Sequence, residues 1–196
     1  MNIKKIALLL TLQPIKHTIM RFIYSILCLS FLFVACQPAP DNSANEAFEK
    51  NSKTVLSLLE GFQNESHDYD ILYSKDVVVA DNGFGSTRDS LNLDDIKASD
   101  KMNWDALDFK LLTDPDLLPG VNAETKLADG SVRYYGTWEV TRTATDSTEA
   151  KSGELRIYQS FDFDADGKII FQQGYGDFSG LIRYLFSSDD DDKTEE

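Results

Sequence analysis

The sequence predicts an α+β domain in which N-terminal helices pack on an antiparallel sheet. In the first half of the domain, apolar residues recur at helical spacing, as at Phe48, Val55, Leu59 and Phe62. From Phe109 onward they alternate with polar residues, which is the two-residue period of strands with one covered face. An element order of helices followed by a run of strands is typical of the α+β class. The helices are therefore expected to cover one face of the sheet.

The first half is predicted to contain three helices, a strand and a turn. Serine favours the position before a helix because its hydroxyl accepts a backbone N–H. The run Val-Val-Val-Ala favours a strand, and an Asn-Gly pair favours the turn that closes it. The predicted order is a helix over Ala44–Phe62 capped by Ser43, a short helix over residues 67–74, a strand over 76–81, a turn at Asn82-Gly83, and a helix over 91–107 anchored by Leu93, Ile96 and Trp104.

The second half is predicted to be a meander of strands joined by tight turns. Asp-Gly pairs between alternating apolar segments are strong turn signals, and Asp129-Gly130 and Asp166-Gly167 divide this region. The predicted order is a strand over residues 109–113, a loop containing Pro115, Pro119 and Gly120, strands over 131–143, 153–164 and 168–178, and a short helix or edge segment over 181–186.

The N-terminus has the pattern of a cleaved export signal. Residues 23–35 are uncharged and apolar, too short for a permanent span of about 20 residues but suited to a signal peptide. Translation from Met20 would leave a more compact signal. We predict a signal peptide over 1–35, a tether over 36–43, a folded domain over 44–186 and a disordered acidic tail over 187–196. A membrane-spanning anchor is the alternative.

The predicted signal ends in Phe33-Val34-Ala35-Cys36, which resembles the bacterial lipoprotein box, with Phe33 where leucine is usual. The resemblance implies that Cys36 is acylated and becomes the mature N-terminus. We therefore expect a protein of the cell envelope, held on a membrane through Cys36. Gln37 stands where an inner-membrane retention signal would have aspartate, so we expect the outer membrane. An ordinary cleaved signal with a chance cysteine is the alternative.

The charge and the cysteine content exclude several classes of function. The chain has 19 basic and 33 acidic residues; the predicted signal holds four of the basic ones, so 15 basic residues and a net charge of −18 remain. Such a charge repels nucleic acid, and no nucleic-acid partner is expected. After Cys36 the sequence has no cysteine and one histidine, His67, which excludes disulfides, thiol nucleophiles and metal sites that need two histidines. We expect no metal site and no cofactor.

The predicted domain runs through a helix, a short helix, a strand, a helix and then long antiparallel strands. This order resembles the nuclear transport factor 2-like superfamily, including its SnoaL-like group, and implies a sheet wrapped into a cone against its helices. The superfamily includes isomerases, dehydratases, cyclases and binding proteins, so the fold does not assign a chemistry. A lipocalin-like barrel is a rival fold, which the helical first half argues against. The residues that carry the resemblance are Val55-Leu56-Ser57-Leu58-Leu59, the passage Tyr69–Asp81, and the strands Tyr134–Val140, Tyr158–Asp164 and Ile169–Phe178.

Polar residues lie among apolar ones on the predicted inner face of two strands. In an unbroken strand, Gln173, Tyr175 and Asp177 share a face with Ile169, and Gln159 interrupts the apolar face of the preceding strand. Burying an unpaired polar group costs about 1–3 kcal/mol, a cost that a water-filled or ligand-filled pocket removes. We predict a pocket lined by Tyr134, Trp138, Gln159, Gln173 and Tyr175.

Asp177 is the predicted catalytic residue of this pocket, since a partly desolvated carboxylate there would suit a general base. A bulge at Gly174 or Gly176 would turn Asp177 outward instead, and a position at the end of the sheet would place the polar groups in solvent. Two functions stay open. The favoured one is a non-catalytic domain that binds a small apolar ligand or another envelope protein. The alternative is a SnoaL-like isomerase or hydrolyase that acts on a small molecule with Asp177 as general base.

Two segments with ligand-type residues are predicted to be structural. Asp162, Asp164 and Asp166 match the start of a calcium loop, but Gln173 stands where a bidentate glutamate is expected, so we predict an acidic hairpin turn. In His67-Asp68-Tyr69-Asp70, adjacent residues on a helix do not face one another, so we predict a solvated helix start rather than a catalytic pair.

Overall fold

The computed structural model describes residues 41–83 and 85–187. The predicted signal peptide, Cys36 and the acidic tail beyond Ser187 lie outside this part of the chain. Within it, no helix is long and apolar enough to cross a membrane. The helices are α1 (Ser43–Gln63), α2 (Tyr69–Leu72), α3 (Leu93–Ala106) and α4 (Phe178–Phe186), and the strands are β1 (Tyr73–Ala80), β2 (Ser90–Leu91), β3 (Leu107–Leu111), β4 (Asp116–Val121), β5 (Ala128–Arg142), β6 (Lys151–Phe163) and β7 (Ile169–Tyr175).

Capping explains where α3 begins. The side chain of Asn92 accepts the backbone N–H groups of Asp94 and Asp95 at 2.9 and 3.1 Å, and the carboxylate of Asp95 accepts the N–H of Asn92 at 3.0 Å. These reciprocal bonds satisfy backbone donors that a helix start otherwise leaves free. The cap position of α1 is Asn42 rather than the predicted Ser43, and the Asn42 side chain makes no capping hydrogen bond.

The strands form a seven-stranded sheet in the order β2-β1-β7-β6-β5-β3. The long strand β5 pairs with β3 along its C-terminal half and with β4 along its N-terminal half. The neighbouring strands are antiparallel except for β1 and β7, which run parallel. The predicted α+β class is therefore confirmed, but the expectation of a purely antiparallel sheet is wrong. Alternation within one strand fixes which face is buried and does not specify the direction of its neighbour.

The hairpin of β4 and β5 differs from the prediction. The segment with Pro119 and Gly120, predicted as a loop, is the edge strand β4, and edge strands tolerate proline because one side of them needs no N–H donor. Asp129-Gly130 lies inside β5, where Gly130 has a φ of 81°. A Cβ at Gly130 would lie 2.6 Å from the Cβ of Ala47, so this glycine lets α1 approach the sheet closely.

The core lies between α1 and the inner face of the sheet. Every second residue of β5 points to this face, as the alternation in the sequence predicts. The buried residues of this contact are Val55, Leu58 and Leu59 from α1 and Val132, Tyr134, Trp138 and Val140 from β5.

A one-residue bulge in β7 sets which of its side chains face the helices. Phe163 pairs with Ile169 and Asp162 pairs with Phe171, so Ile170 is an extra residue in β7. Ile169 is fully buried on the inner face, whereas Phe171 lies on the outer one. Beyond the bulge, the inward positions of β7 are therefore the even-numbered residues.

Candidate functional site

A cavity of about 340 Å³ lies between the sheet, α1, α3 and α4. This volume is near the lower end of the range for small-molecule pockets, about 300–1,000 Å³. Most of the wall is apolar. The apolar lining consists of Leu58, Leu59, Phe62, Val79, Leu91, Ile96, Leu107, Phe109, Trp138, Val140, Leu155, Ile157, Phe178, Leu181 and Ile182, and the polar lining of His67, Tyr73, Ser99, Asp100, Asn103, Gln159 and Gln172.

Helix α3 brings a carboxylate to the cavity. Ile96, Asp100 and Asn103 are spaced i, i+4 and i+7, so they share one face of the helix, and all three line the cavity. Asp100 is buried, with 8% of its surface exposed. A buried carboxylate requires hydrogen-bond partners, so its environment defines the site.

Asp100 is held through one of its two carboxylate oxygens. Its Oδ2 accepts the O–H of Tyr69 at 3.0 Å and lies 3.2 Å from Nδ1 of His67. Among the described residues, no group forms a hydrogen bond with Oδ1. Asp100 lines the apolar cavity but not the adjacent polar cleft formed by residues 66–70 and Lys97. The free oxygen therefore has its access through the apolar cavity.

His67 is enclosed by aromatic rings, with 1% of its side chain exposed. Its ring centroid lies 5.9, 5.4 and 5.3 Å from those of Phe62, Tyr69 and Trp104. The prediction of a solvated position for His67 is wrong, because the loop after α1 folds back over the last turn of that helix. Gly61 permits this, since a Cβ there would lie 2.6 Å from Cδ2 of His67.

Both ring nitrogens of His67 face oxygens. Nε2 lies 2.9 Å from the carbonyl oxygen of Leu58, which can only accept, so Nε2 carries a proton. Nδ1 faces Oδ2 of Asp100, and a contact of two lone pairs there would be repulsive. A proton between these atoms, on either Nδ1 or Oδ2, would turn the contact into a hydrogen bond.

Two tyrosines connect Asp100 to the sheet. The ring of Tyr69 stacks on that of Tyr73 with centroids 6.4 Å apart, and the O–H of Tyr73 donates to Oε1 of Gln172 at 3.0 Å. Burial, followed by the charge of Asp100, raises the pKa of Tyr69 and of Tyr73 above the ordinary value of 10.0. Both hydroxyls therefore stay protonated and act as donors at neutral pH.

Amide side chains complete the polar lining. Gln159 pairs with Gly174 and Gln172 pairs with Phe161, so the two glutamines are diagonal neighbours on the inner face. Gln172 uses its oxygen for Tyr73, as described above, which leaves its NH₂ group free to donate. In the described part of the chain, the side-chain amides of Gln159 and Asn103 have no hydrogen-bond partner.

Among the predicted pocket residues, Trp138 and Gln159 line the cavity, whereas Tyr134 lies beneath its wall. Tyr134 is fully buried, and its hydroxyl accepts the Nε1–H of Trp138 at 2.9 Å. Burial raises the pKa of Tyr134 to about 12. Gly136 lies between Tyr134 and Trp138 on the same face of β5. Because it has no side chain, the phenol of Tyr134 can occupy the space beside it.

Gln173 and Tyr175, also predicted to line the pocket, lie on the outer face of the sheet. The bulge at Ile170 shifts the alternation by one residue, so the prediction from an unbroken strand is wrong for both. Tyr175 instead stands beside Tyr158 and Tyr135 in neighbouring strands, with centroid separations of 6.2 and 4.9 Å along this row. The cavity receives Gln172 in place of Gln173.

Asp177 does not line the cavity. Strand β7 ends at Tyr175, and Asp177 is the exposed residue before α4, where its Oδ1 accepts the N–H of Gly180 at 2.9 Å. The predicted inward position is therefore wrong, because the strand ends before the alternation reaches this residue. The carboxylate that faces the cavity is that of Asp100.

The acidic residues between β6 and β7 form a turn. Oδ1 of Asp164 accepts the N–H of Lys168 at 2.9 Å, and Gly167 has a φ of 85°, a left-handed conformation that favours glycine. Asp162 lies 3.5 Å from Arg133. Across residues 41–83 and 85–187, no three His, Cys, Asp or Glu side chains come together as a group able to hold a metal ion.

The sequence contained two weak signals for the pair that was missed. Asp100 falls on the apolar face of a helix predicted from Ile96, and a buried acidic residue there needs a partner. His67 follows Gly61, a glycine in the last turn of α1 that marks a close approach of another group. Neither signal identifies the other residue, because the two meet only through packing of α3 against the loop after α1.

Comparisons with known proteins identify the fold. No protein-family model matches the chain, and no curated protein matches it. Among solved structures, a proposed polyketide cyclase from Xanthomonas campestris pv. campestris is 16% identical with a TM-score of 0.53, covering 71% of this chain and 98% of its own. A proposed isomerase from Bacillus subtilis is 12% identical with a TM-score of 0.53, covering 71% and 94%. An NTF2-like protein from Burkholderia xenovorans is 13% identical with a TM-score of 0.51, covering 70% and 96%.

The chain has the nuclear transport factor 2-like fold. This confirms the fold implied by the resemblance of the sequence, with helices packed against an unclosed sheet. At these identities the likeness is evidence for the nuclear transport factor 2-like fold alone. The function has to be argued from the cavity of this chain.

Proposed function

We propose that this nuclear transport factor 2-like domain binds a small, largely apolar molecule in its cavity. The observation that carries the proposal is the set of cavity-lining polar groups without a protein partner: Oδ1 of Asp100 and the amides of Asn103 and Gln159. None of these three is among the fully buried side-chain atoms that lack a partner, so water can reach them in the cavity and a ligand would have to replace its hydrogen bonds. A ligand with an apolar body and a few polar atoms would fill the walls and satisfy these groups.

A neutral fluorescent probe tests the proposal. N-phenyl-1-naphthylamine is expected to bind and to brighten, because it leaves water for an apolar cavity. Ser99→Trp should weaken this binding at least about tenfold, since Ser99 lines the cavity and the indole would fill it. Ala98→Trp is the matched control, because Ala98 is the exposed neighbour on α3. Equal probe affinity in the two variants would place the probe outside the cavity and contradict the proposal.

A second candidate function is proton transfer on a bound ketone or enol, with Asp100 as the base. It is favoured by one observation: Tyr69 and His67 hold Oδ2, which leaves Oδ1 fixed and open to the cavity. Neighbours in the fold carry the names polyketide cyclase and isomerase, which are activities on small molecules. Proton exchange at the α-carbon of a bound ketone, measured by NMR, should occur in the natural protein and be lost in Asp100→Asn. Exchange that persists in that variant would eliminate this candidate.

We further propose that the protein is a lipoprotein of the cell envelope. The support is the uncharged run over residues 23–35, the basic residues before it, and Cys36 behind Ala35. Two or more acyl chains anchor a protein stably, whereas one binds only marginally. Cys36→Ser should release the protein to the soluble envelope fraction or leave it as an unprocessed precursor. A variant of mature length that still fractionates with membranes would contradict acylation at Cys36.

A further inference from the structure

The cavity presents an acceptor at Asp100 whether its carboxyl group is ionised or protonated on Oδ2. If the proton is on Nδ1, Asp100 is a carboxylate and Oδ1 accepts. If the proton is on Oδ2, Asp100 is a carboxylic acid and Oδ1 is its carbonyl oxygen, which also accepts. A ligand group that meets Oδ1 must therefore donate a hydrogen bond.

The apolar wall of the cavity selects among possible donors. An ammonium group would lose its hydration there, and Oδ2 of Asp100 is already engaged by the O–H of Tyr69 and faces Nδ1 of His67. An anionic group would bring lone pairs against Oδ1. A hydroxyl group donates its proton without either penalty.

Donors on the sheet define a second contact in the cavity. The free NH₂ of Gln172 and the unpaired amide of Gln159 are neighbours on the inner face of the sheet. They can donate to a carbonyl, ether or second hydroxyl oxygen. The rest of the lining includes the ring of Trp138 and aliphatic side chains, which suits an apolar body.

We infer that the cavity is selective for an uncharged apolar alcohol whose hydroxyl donates to Oδ1 of Asp100. The inference rests on the proposed ligand-binding function and specifies the chemical class of the ligand. It makes Asp100 a specificity-determining residue, positioned by His67 and Tyr69.

Three probes with one ring system and different head groups test the inference by calorimetry at neutral pH. They are 2-naphthalenemethanol, 2-naphthoate and 2-naphthylmethylammonium. The alcohol is expected to bind at least about tenfold more tightly than the acid or the ammonium. In Asp100→Asn, the alcohol's advantage over the acid should fall to about threefold or less, because the amide can turn a donor toward the ligand. Asp177→Asn is the control, since Asp177 lies outside the cavity, and it should keep the ranking of the natural protein.

The outcomes separate this inference from the proposed function. If N-phenyl-1-naphthylamine binds in the cavity but the acid or the ammonium equals or exceeds the alcohol, the alcohol selectivity is overturned and ligand binding stands. The same holds if the alcohol does not bind at all while the fluorescent probe does. If neither binds, the proposed function fails and the inference with it. The ranking in the natural protein decides the matter even if Asp100→Asn does not fold.

Discussion

Replacing Gly136 with alanine should strongly destabilise the domain. A Cβ at this position would lie 2.5 Å from Cζ and 2.8 Å from Cε2 of Tyr134, and closer still to its hydroxyl oxygen. Tyr134 is fully buried and therefore has no free space to move into. Overpacking of this kind costs about 1–3 kcal/mol. Displacing the phenol also removes the acceptor of the Trp138 indole N–H, at about 1–3 kcal/mol for a buried donor left unpaired.

The two effects together predict a loss of about 2–6 kcal/mol in the free energy of unfolding of Gly136→Ala, measured by urea denaturation with circular dichroism. Gly174→Ala is the matched control. It lies on the same face of the sheet, and its new Cβ would meet Gln159 at 3.4 Å, an ordinary contact. Alanine there should be neutral or stabilise by up to about 1 kcal/mol through the unfolded chain. Equal stability of the two variants would refute the steric argument.

Three further predictions concern the capping carboxylate, the buried histidine and the buried tyrosines. Asp177→Ala should cost about 1 kcal/mol in urea unfolding through loss of the α4 cap, with fluorescent-probe affinity unchanged. His67→Ala should cost about 2–5 kcal/mol by the same assay, because it empties an aromatic enclosure and removes a partner of Asp100. Alkaline titration tests the raised pKa values of Tyr73 and Tyr134. Each tyrosine should lower the free energy of unfolding by about 1.4 kcal/mol per pH unit as the pH rises above 10. For Tyr134 this loss should end at about pH 12, where the hydroxyl of the folded protein ionises. A flat stability profile above pH 10, measured by urea unfolding, would contradict the burial of both hydroxyls.

The periodicity of apolar residues in the sequence was sufficient to predict the fold class and most of the helices and strands. Alternation over residues 131–143 and 153–164 identified β5 and β6 within a few residues. Edge strand β4 was missed because Pro119 and Gly120 argue against an interior strand and say little about an edge. The parallel position of β7 beside β1 was missed because strand direction depends on the path of the whole chain.

The site was only partly predictable for a physical reason. Trp138 and Gln159 lie in the stretches of β5 and β6 that pair with each other without a register shift, so the alternation of faces places them on the inner face. In β7 the extra residue is Ile170, a β-branched residue typical of regular strands, and nothing in its chemistry signals a bulge. Counting from Ile169 therefore assigned the wrong face to every later residue of the strand.

The parallel pairing of β1 and β7 has a consequence for the order of folding. Tyr73, at the start of β1, pairs with Ile169, near the end of the domain. Strand β7 lies between β1 and β6 in the sheet. During synthesis β1 therefore emerges long before β7, and it cannot join the sheet until nearly the whole domain has been made. Contacts between such distant segments form late because a long loop must close first. A chain that ends before Ile169 should thus remain incompletely folded, with the edge of β1 that β7 would cover left without its strand partner.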